Sequence, residues 1–506
     1  MATPNALAAS AMSSARPSFL SQSSLYFFSN VARRGLSFFL LPIYTRYLSP
    51  SEYGVIEIIE LLAAVMIVVV GVPMFADSIT RLYFDFSDEK ARASVVSTGM
   101  ILTILLSSTL IFIGALGGAL ASNVLFHSPD YANLITWTFA SVLLSNVTEV
   151  GLAYQRIRRR AAFVAIYSCA QFALAGGLNV YFLAIAHKGI WGFVFSKFIS
   201  LGVGAAVILF LTIRETGFGF NPERCMRMIR FGRGLILTSV GFFIINFSDR
   251  AFLNSFRSTA EVGIYALAYK FGFVISYLVG NPFKSVWEVN VFDDMHSPRW
   301  KQHAAKMARV LALSLAGAAL TLSVFAKPII HMVAAPSYAA AAALIPILTF
   351  AYALREIGDF FNTAMLINKR MLQYAGAVVL SAAFNLALEW FLIRAWGAAG
   401  AAWATFLTWG VYAVVCWVMA QREHQIPVDM SAFAILSVIC AFTVWAAFSL
   451  GDFGFTPDLL VRLGTMVVAG VLIWRSRCVP AEERAGIRYL LNSQLAAVRN
   501  MVAQPK

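Results

Sequence analysis

Charge is scarce in this chain. Of its 506 residues only 13% are Asp, Glu, Lys or Arg, about half the share usual in a soluble domain. Acid is scarcer still, with 25 Asp and Glu against 39 Lys and Arg and a net charge of +14. A soluble enzyme of this length would lack the polar surface to cover its core. The five cysteines (Cys169, Cys225, Cys416, Cys440 and Cys478) contain no C-x-x-C pair, so neither a disulfide framework nor a zinc site is indicated. The sequences G-x-x-x-x-G-K-[ST], H-E-x-x-H and G-x-S-x-G do not occur. These absences argue against a nucleotide-driven pump, a zincin and a serine hydrolase. His127, His187, His296, His303, His331 and His424 are scattered, so we expect no catalytic centre, metal or cofactor.

Hydrophobic residues make up 59% of the chain, and the mean hydropathy is +0.74. Runs of about 20 apolar residues, the length that spans a bilayer, lie near 20–45, 55–76, 94–120, 131–153, 161–186 and 190–213. A second set lies near 234–256, 262–291, 308–333, 339–366, 372–393 and 398–420, and a last pair near 431–450 and 456–474. The expected fold is an all-α polytopic membrane protein of about 14 transmembrane helices.

The bases support this count. With a cytoplasmic N-terminus, the loops expected inside and the tails hold about 26 Lys and Arg, against about 6 in the loops expected outside. The inside set includes Arg156, Arg158, Arg159, Arg160, Arg224, Arg227 and Arg230; the outside set is Arg46, Lys188, Arg250, Arg257, Lys327 and Arg394. A missed helix would scramble the alternation from that point onward. Both termini are therefore expected in the cytoplasm. No outside loop exceeds about 20 residues, which argues against polytopic glycosyltransferases and polymerases. The positive excess is an orientation signal, not a nucleic-acid footprint.

Residues 1–18 read as a short cytoplasmic tail. Asn221-Pro222-Glu223 is a helix start, followed by Arg224, Arg227 and Arg230, and suggests an interfacial helix in a linker at 214–233. Ile487, Leu490, Leu491, Leu495 and Val498 form an apolar stripe within an amphipathic tail at 479–506. Ser49-Pro50-Ser51-Glu52-Tyr53-Gly54 is echoed by Ser258-Thr259-Ala260-Glu261-Val262-Gly263. Both hexapeptides are S-x-x-E-x-G in outside connections, six spans apart. An even offset implies two parallel six-helix lobes, 19–213 and 234–420, around a central cavity, with two additional helices in 421–478.

Seven bases remain within spans: Arg33, Arg34, Lys197, Lys270, Lys284, Arg355 and Arg462. A charge in hydrocarbon costs roughly 2.5–3.5 kcal/mol on insertion scales, so such residues face a cavity or a partner. Arg33 and Arg34 lie mid-way along the first span; the alternatives are a cavity role, a salt bridge to Glu57 or Glu60, or a later helix start. Lys270 and Lys284 share a face of the eighth span, and Glu288 stands four residues beyond Lys284. Asp77 and Arg81 form an i, i+4 pair, Asp249-Arg250 ends the seventh span, and Arg355, Glu356 and Asp359 could neutralise one another. Lys197 would reach water only from near a span end. Several cations suit an anionic cargo, since Arg in particular matches phosphate with a planar fork.

The stretches G-L-S-F-F-L-L-P-I-Y-T-R-Y-L-S-P-S-E-Y-G (35–54), F-A-D-S-I-T-R-L-Y-F-D (75–85), F-S-D-R-A-F-L (247–253) and E-V-G-I-Y-A-L-A-Y-K (261–270) resemble Wzx-type polysaccharide flippases. These belong to the multidrug/oligosaccharidyl-lipid/polysaccharide exporter superfamily. The resemblance implies two six-helix lobes forming a V around a cationic cavity. It also implies movement of undecaprenyl-pyrophosphate-linked oligosaccharide to the periplasmic leaflet of the bacterial inner membrane by alternating access. Arg33, Arg34, Arg81 and Lys270 fall in matching stretches, and Lys284 joins them on physical grounds as substrate-binding. Glu57, Glu60, Asp77 and Asp249 are candidates for gating or ion coupling. Expected partners are the lipid-linked oligosaccharide, membrane lipids, and a polysaccharide polymerase and co-polymerase. The rival readings are a small-molecule antiporter of the same fold and a non-transporting membrane component of polysaccharide assembly.

Overall fold

The computed structural model describes residues 40–70, 72–294, 299–367, 371–449, 455–481 and 484–485. Arg33, Arg34 and the stripe after residue 486 lie outside them. The chain divides into two compact units, Met1–Gly263 and Ile264–Lys506. The described residues are helical, with short connections, and nine helices are long and apolar enough to cross a membrane.

The first unit contains α1 (Leu41–Tyr47), α2 (Pro50–Val70), α3 (Val72–Tyr83), α4 (Glu89–Phe126), α5 (Ala132–Ile157), α6 (Ala161–Asn179), α7 (Gly189–Thr216) and α8 (Pro222–Phe256). The start of α9 (Thr259–Ile275) also belongs to it. Helix ends follow local chemistry. Asp88 caps α4 by accepting from the Ala91 amide, and His127 closes it in the left-handed region. Asn221 accepts from the Arg224 amide at the start of α8. The basic segment after it is not a separate interfacial helix: α8 runs on for 35 residues to Phe256. Its first turns are docked, with Met228 buried and its carbonyl accepting from Ser78 on α3.

Apolar clusters hold this unit: Ile79, Val95, Val96, Met100, Val150 and Met228 form one, Val55, Ile59, Leu110, Phe139 and Val194 another, and Leu152, Val164 and Ile208 a smaller one. The opposite faces carry exposed Leu116, Leu120 and Phe112, as lipid-facing helices require.

The echoed hexapeptides meet within this unit. Ser49 and Glu52 form a reciprocal capping box: the Ser49 amide donates to Glu52 Oε2 at 2.8 Å, and the Glu52 amide to Ser49 Oγ at 3.2 Å. The Glu261 amide likewise donates to Ser258 Oγ at 3.2 Å. The glycine that ends each hexapeptide lies where the two helix starts cross. A methyl on Gly54 would overlap the Thr259 carbonyl, and one on Gly263 the Pro50 carbonyl. Ser51 Oγ and Thr259 Oγ1 share a hydrogen bond of 2.9 Å. Capping accounts for both serines and for Glu52, and close backbone approach for both glycines.

The second unit continues from α9 through a π-helical turn, Ser276–Gly280, into α10 (Asn281–Asp294). It adds α11 (Trp300–Val324), α12 (Ala326–Val333), α13 (Ala341–Ile367), α14 (Met371–His424), α15 (Met430–Ser449) and α16 (Phe455–Arg475). The 54 residues of α14 are two helices joined at Gly397, whose φ of 55° favours glycine. This is the gap between the apolar runs 372–393 and 398–420. Buried Ala304, Ala308, Ala312, Ala316 and Ala319 let α11 approach its neighbours closely. Arg462 does not serve a cavity: it bonds to Asp458 at 2.6 Å and donates to the Val324 carbonyl at 2.5 Å, tying α16 to the end of α11.

Candidate functional site

The first unit brings Glu57, Asp249 and Arg250 together. Arg250 Nη1 donates to Asp249 Oδ1 at 2.9 Å and to the Asn246 carbonyl at 3.0 Å, while its Nε lies 3.5 Å from Glu57 Oε2. The Arg250 side chain is 5% exposed, so it is not the outside-loop base that the sequence suggested. One turn from Glu57, Glu60 accepts from Lys197 Nζ on α7 at 2.6 Å. Lys197 therefore reaches a carboxylate on α2. Each pair offsets the cost of placing charge among apolar helices.

Arg81 bonds to Asp85 at 2.8 Å and is 62% exposed. Asp77 belongs to α3, one turn before Arg81.

The second unit holds a pocket lined by Gly280, Phe283, Lys284, Trp287, Glu356, Asp359 and Phe360, with Leu311 and Thr363. The π turn shapes one wall: Gly280 lies so close to Glu356 that any side chain there would overlap the carboxylate. The Ser276 hydroxyl donates to Glu356, and Tyr412 donates to Asp359 Oδ1 at 2.7 Å. Arg355 lies over the rings of Tyr352 and Trp409, at 5.7 and 5.4 Å from their centroids. Each of the two carboxylates is thus held by a hydroxyl donor from another helical segment, Glu356 by Ser276 and Asp359 by Tyr412. Lys284 is exposed and lines this pocket, whereas Lys270 belongs to α9 and is half-buried.

Sequence reading missed three things here. Lys197 and Glu60 are 137 residues apart, and no spacing rule connects them. Trp287 drew no notice within the apolar run near 262–291, although it stands one turn from Lys284 on α10. Tyr412 gave no signal, because only the fold brings it to Asp359. Among the described residues, no three His, Cys, Asp or Glu side chains are grouped to hold a metal.

Comparisons with known proteins fit this architecture. Residues 43–343, more than half of the chain, match the family model described as polysaccharide biosynthesis protein. The succinoglycan biosynthesis transport protein ExoT of Rhizobium meliloti is 24% identical over 247 residues, covering 48% of each chain. The Lsg locus putative protein 1 of Haemophilus influenzae is 24% identical over 264 residues, covering 50% of this chain and 61% of the relative. The matched region thus spans about half to three-fifths of these relatives. Among solved structures, the lipid II flippase MurJ in an inward closed conformation superposes with a TM-score of 0.69 at 13% identity, covering 90% of this chain and 98% of that one. An inward-facing MATE multidrug transporter of the MOP superfamily gives 0.62 at 13% identity, covering 77% and 94%. The chain is thus a multi-pass membrane protein with a MurJ/MATE-like fold, and it belongs to the polysaccharide biosynthesis protein family.

Proposed function

We propose that this protein flips a polyprenyl-pyrophosphate-linked oligosaccharide from the cytoplasmic to the periplasmic leaflet of the bacterial inner membrane. The product would feed O-antigen, capsule or exopolysaccharide assembly, with a polymerase and co-polymerase downstream. The observation that carries this reading is the fold shared with a lipid II flippase over 90% of the chain, in a member of a polysaccharide biosynthesis family. The intramembrane bases support it, because a pyrophosphate head needs cations where the bilayer supplies none. In this reading fourteen spans form two six-helix lobes and a terminal pair, and both termini are cytoplasmic. Arg33, Arg34, Arg81, Lys270 and Lys284 hold the head group while the lipid tail stays in the bilayer.

Transport is by alternating access without covalent chemistry. Glu57, Glu60, Asp77 and Asp249 are the candidates for coupling to an ion. A proton or cation arriving at Glu57 or Glu60 competes with Arg250 or Lys197 for the same carboxylate. Ion binding therefore loosens a helix–helix tie, which is a physical route from ion to motion.

The test is deletion of the gene followed by analysis of lipid-linked sugars in each leaflet. Accumulation on the cytoplasmic leaflet is expected. Single Ala variants of Arg33, Arg34 and Lys270 should each reduce export at normal protein levels. Full export in all three would sink the head-group assignment, and unchanged lipid-linked sugar in the deletion strain would sink the flippase reading itself.

A further inference from the structure

Bases within the helices are held in different ways. Lys197, Arg250 and Arg462 each contact a carboxylate. Arg355, mid-way along α13, does not. Among the described residues it makes no ion pair, and its guanidinium lies against the rings of Tyr352 and Trp409. Asp359 stands four residues on, the spacing at which Arg and Asp on one helix ordinarily pair. The neighbouring helix divides them. A methyl on Gly358 would overlap the Tyr412 ring, so α14 lies close against α13 at this point. Tyr412 donates to Asp359 Oδ1 at 2.7 Å. Trp409, three residues before it on α14, takes the guanidinium. Asp359 is thus held by a hydroxyl, and Arg355 by a ring.

This division leaves the N–H edge of the guanidinium without a carboxylate. Arg355 is half-buried, and its Nε is buried without a hydrogen-bond partner. Nη1 and Nη2 make no hydrogen bond either; they are not among the buried orphans, so the outer edge of the fork keeps accessible surface. Aromatic rings take a guanidinium by its face and leave its edge to hydrogen-bond. A base kept this way within a spanning helix calls for an anion from outside the chain.

We propose that Arg355 binds an oxyanion of the cargo: a phosphate of the head group or the carboxylate of an acidic sugar. Both match the planar fork with two parallel hydrogen bonds. The charges of Asp359 and Glu356 act on Arg355 from beyond ion-pair distance. They temper the attraction for an anion without occupying the fork, which suits a carrier that must release what it binds. Tyr412 is a positioning residue: without its hydroxyl, Asp359 is free to turn to Arg355 and take the anion's place.

This proposal rests on the flippase reading, and the test separates the two. Full-length protein in lipid nanodiscs is titrated with sugar-free undecaprenyl pyrophosphate and with the lipid-linked oligosaccharide extracted from cells lacking this chain. Arg355→Leu should weaken the sugar-bearing lipid about tenfold or more. Its thermal midpoint should not fall, since an apolar side chain suits a site with no ion pair to break. Equal weakening of the sugar-free lipid assigns the oxyanion to the phosphate; weakening of the sugar-bearing lipid alone assigns it to a sugar carboxylate. Tyr412→Phe should weaken binding in the same direction. Adding Asp359→Asn to it should restore wild-type affinity, which would not repair a mere packing defect; no recovery overturns the positioning role. Affinity of Arg355→Leu within about twofold of wild type for both probes overturns the proposal. If that variant does not fold, Arg355→Lys keeps the charge and loses the fork, and the same twofold limit applies to it. Binding of neither probe to wild type overturns the flippase reading as well, whereas wild-type binding that the variants leave intact overturns the Arg355 site alone.

Discussion

At the scale of residues, pairing decides which charges the membrane tolerates. Arg250 sits against two carboxylates, Asp249 fully buried and Glu57 nearly so. Arg250→Ala would leave both acids without that cation, and breaking a buried pair in this way typically costs about 3–5 kcal/mol. A marked fall in the thermal midpoint in detergent is expected, with Glu57→Gln causing a smaller one because it leaves Arg250 with Asp249. Outside the spans, Asp429 offers a test by pH. Its carboxylate caps α15, accepting from the Ser431 hydroxyl at 2.7 Å and the Ala432 amide at 3.1 Å. The Ser431 hydroxyl, followed by the Ala432 amide, holds its pKa below the usual carboxylate value. Such a cap stabilises fully above the unfolded-state pKa and fades as pH falls through the lower native one. Asp429→Ala should therefore cost about 1 kcal/mol at neutral pH. The difference from wild type should shrink below about pH 4, as chemical denaturation in detergent would record.

At the scale of elements, close approach of backbones sets which glycines are replaceable. Gly54→Ala and Gly263→Ala would each drive a methyl into a carbonyl of the opposing helix start. Overpacking of this kind costs about 1–3 kcal/mol, visible as a lower thermal midpoint. Gly117 on α4 is the contrast, because a methyl there would meet open space. Gly117→Ala should be neutral or stabilise by up to about 1 kcal/mol, as alanine is the better helix former. The same crossing predicts that Cys replacing both Ser51 and Thr259 will form a disulfide under mild oxidation, given side-chain oxygens 2.9 Å apart. Mass spectrometry without reductant would detect it, and persistent free thiols would contradict the crossing.

At the scale of the whole molecule, the membrane itself makes much of the fold legible. Hydrocarbon demands long apolar runs, so run lengths expose the helices. The hairpin within α14 was visible as a gap between two runs, and the structure puts Gly397 there. The start of α8 was visible in Asn221-Pro222, whereas its continuation through the basic stretch was not: charge suggested a surface helix, but docking of Met228 on α3 overrides it. Site residues were legible by type and not by partner. Glu57, Glu60 and Lys284 stood out as charges among apolar neighbours, while Lys197 opposite Glu60 and Trp287 beside Lys284 needed the fold. The expected topology has its own test. Single cysteines at Ser128 and Arg159, on connections at opposite ends of α5, should label from opposite sides of the membrane. Labelling of both from one side would break the fourteen-span count.

The crossing of the two hexapeptides has a further consequence for motion. Interlocked side chains must change rotamer before they separate, whereas two glycines meeting backbone to backbone have no rotamers to change. The main side-chain tie at that point is one hydroxyl–hydroxyl bond between Ser51 and Thr259, which water can replace on either partner. A contact of this kind parts and re-forms with little friction, and it returns to the same register because only glycine fits there.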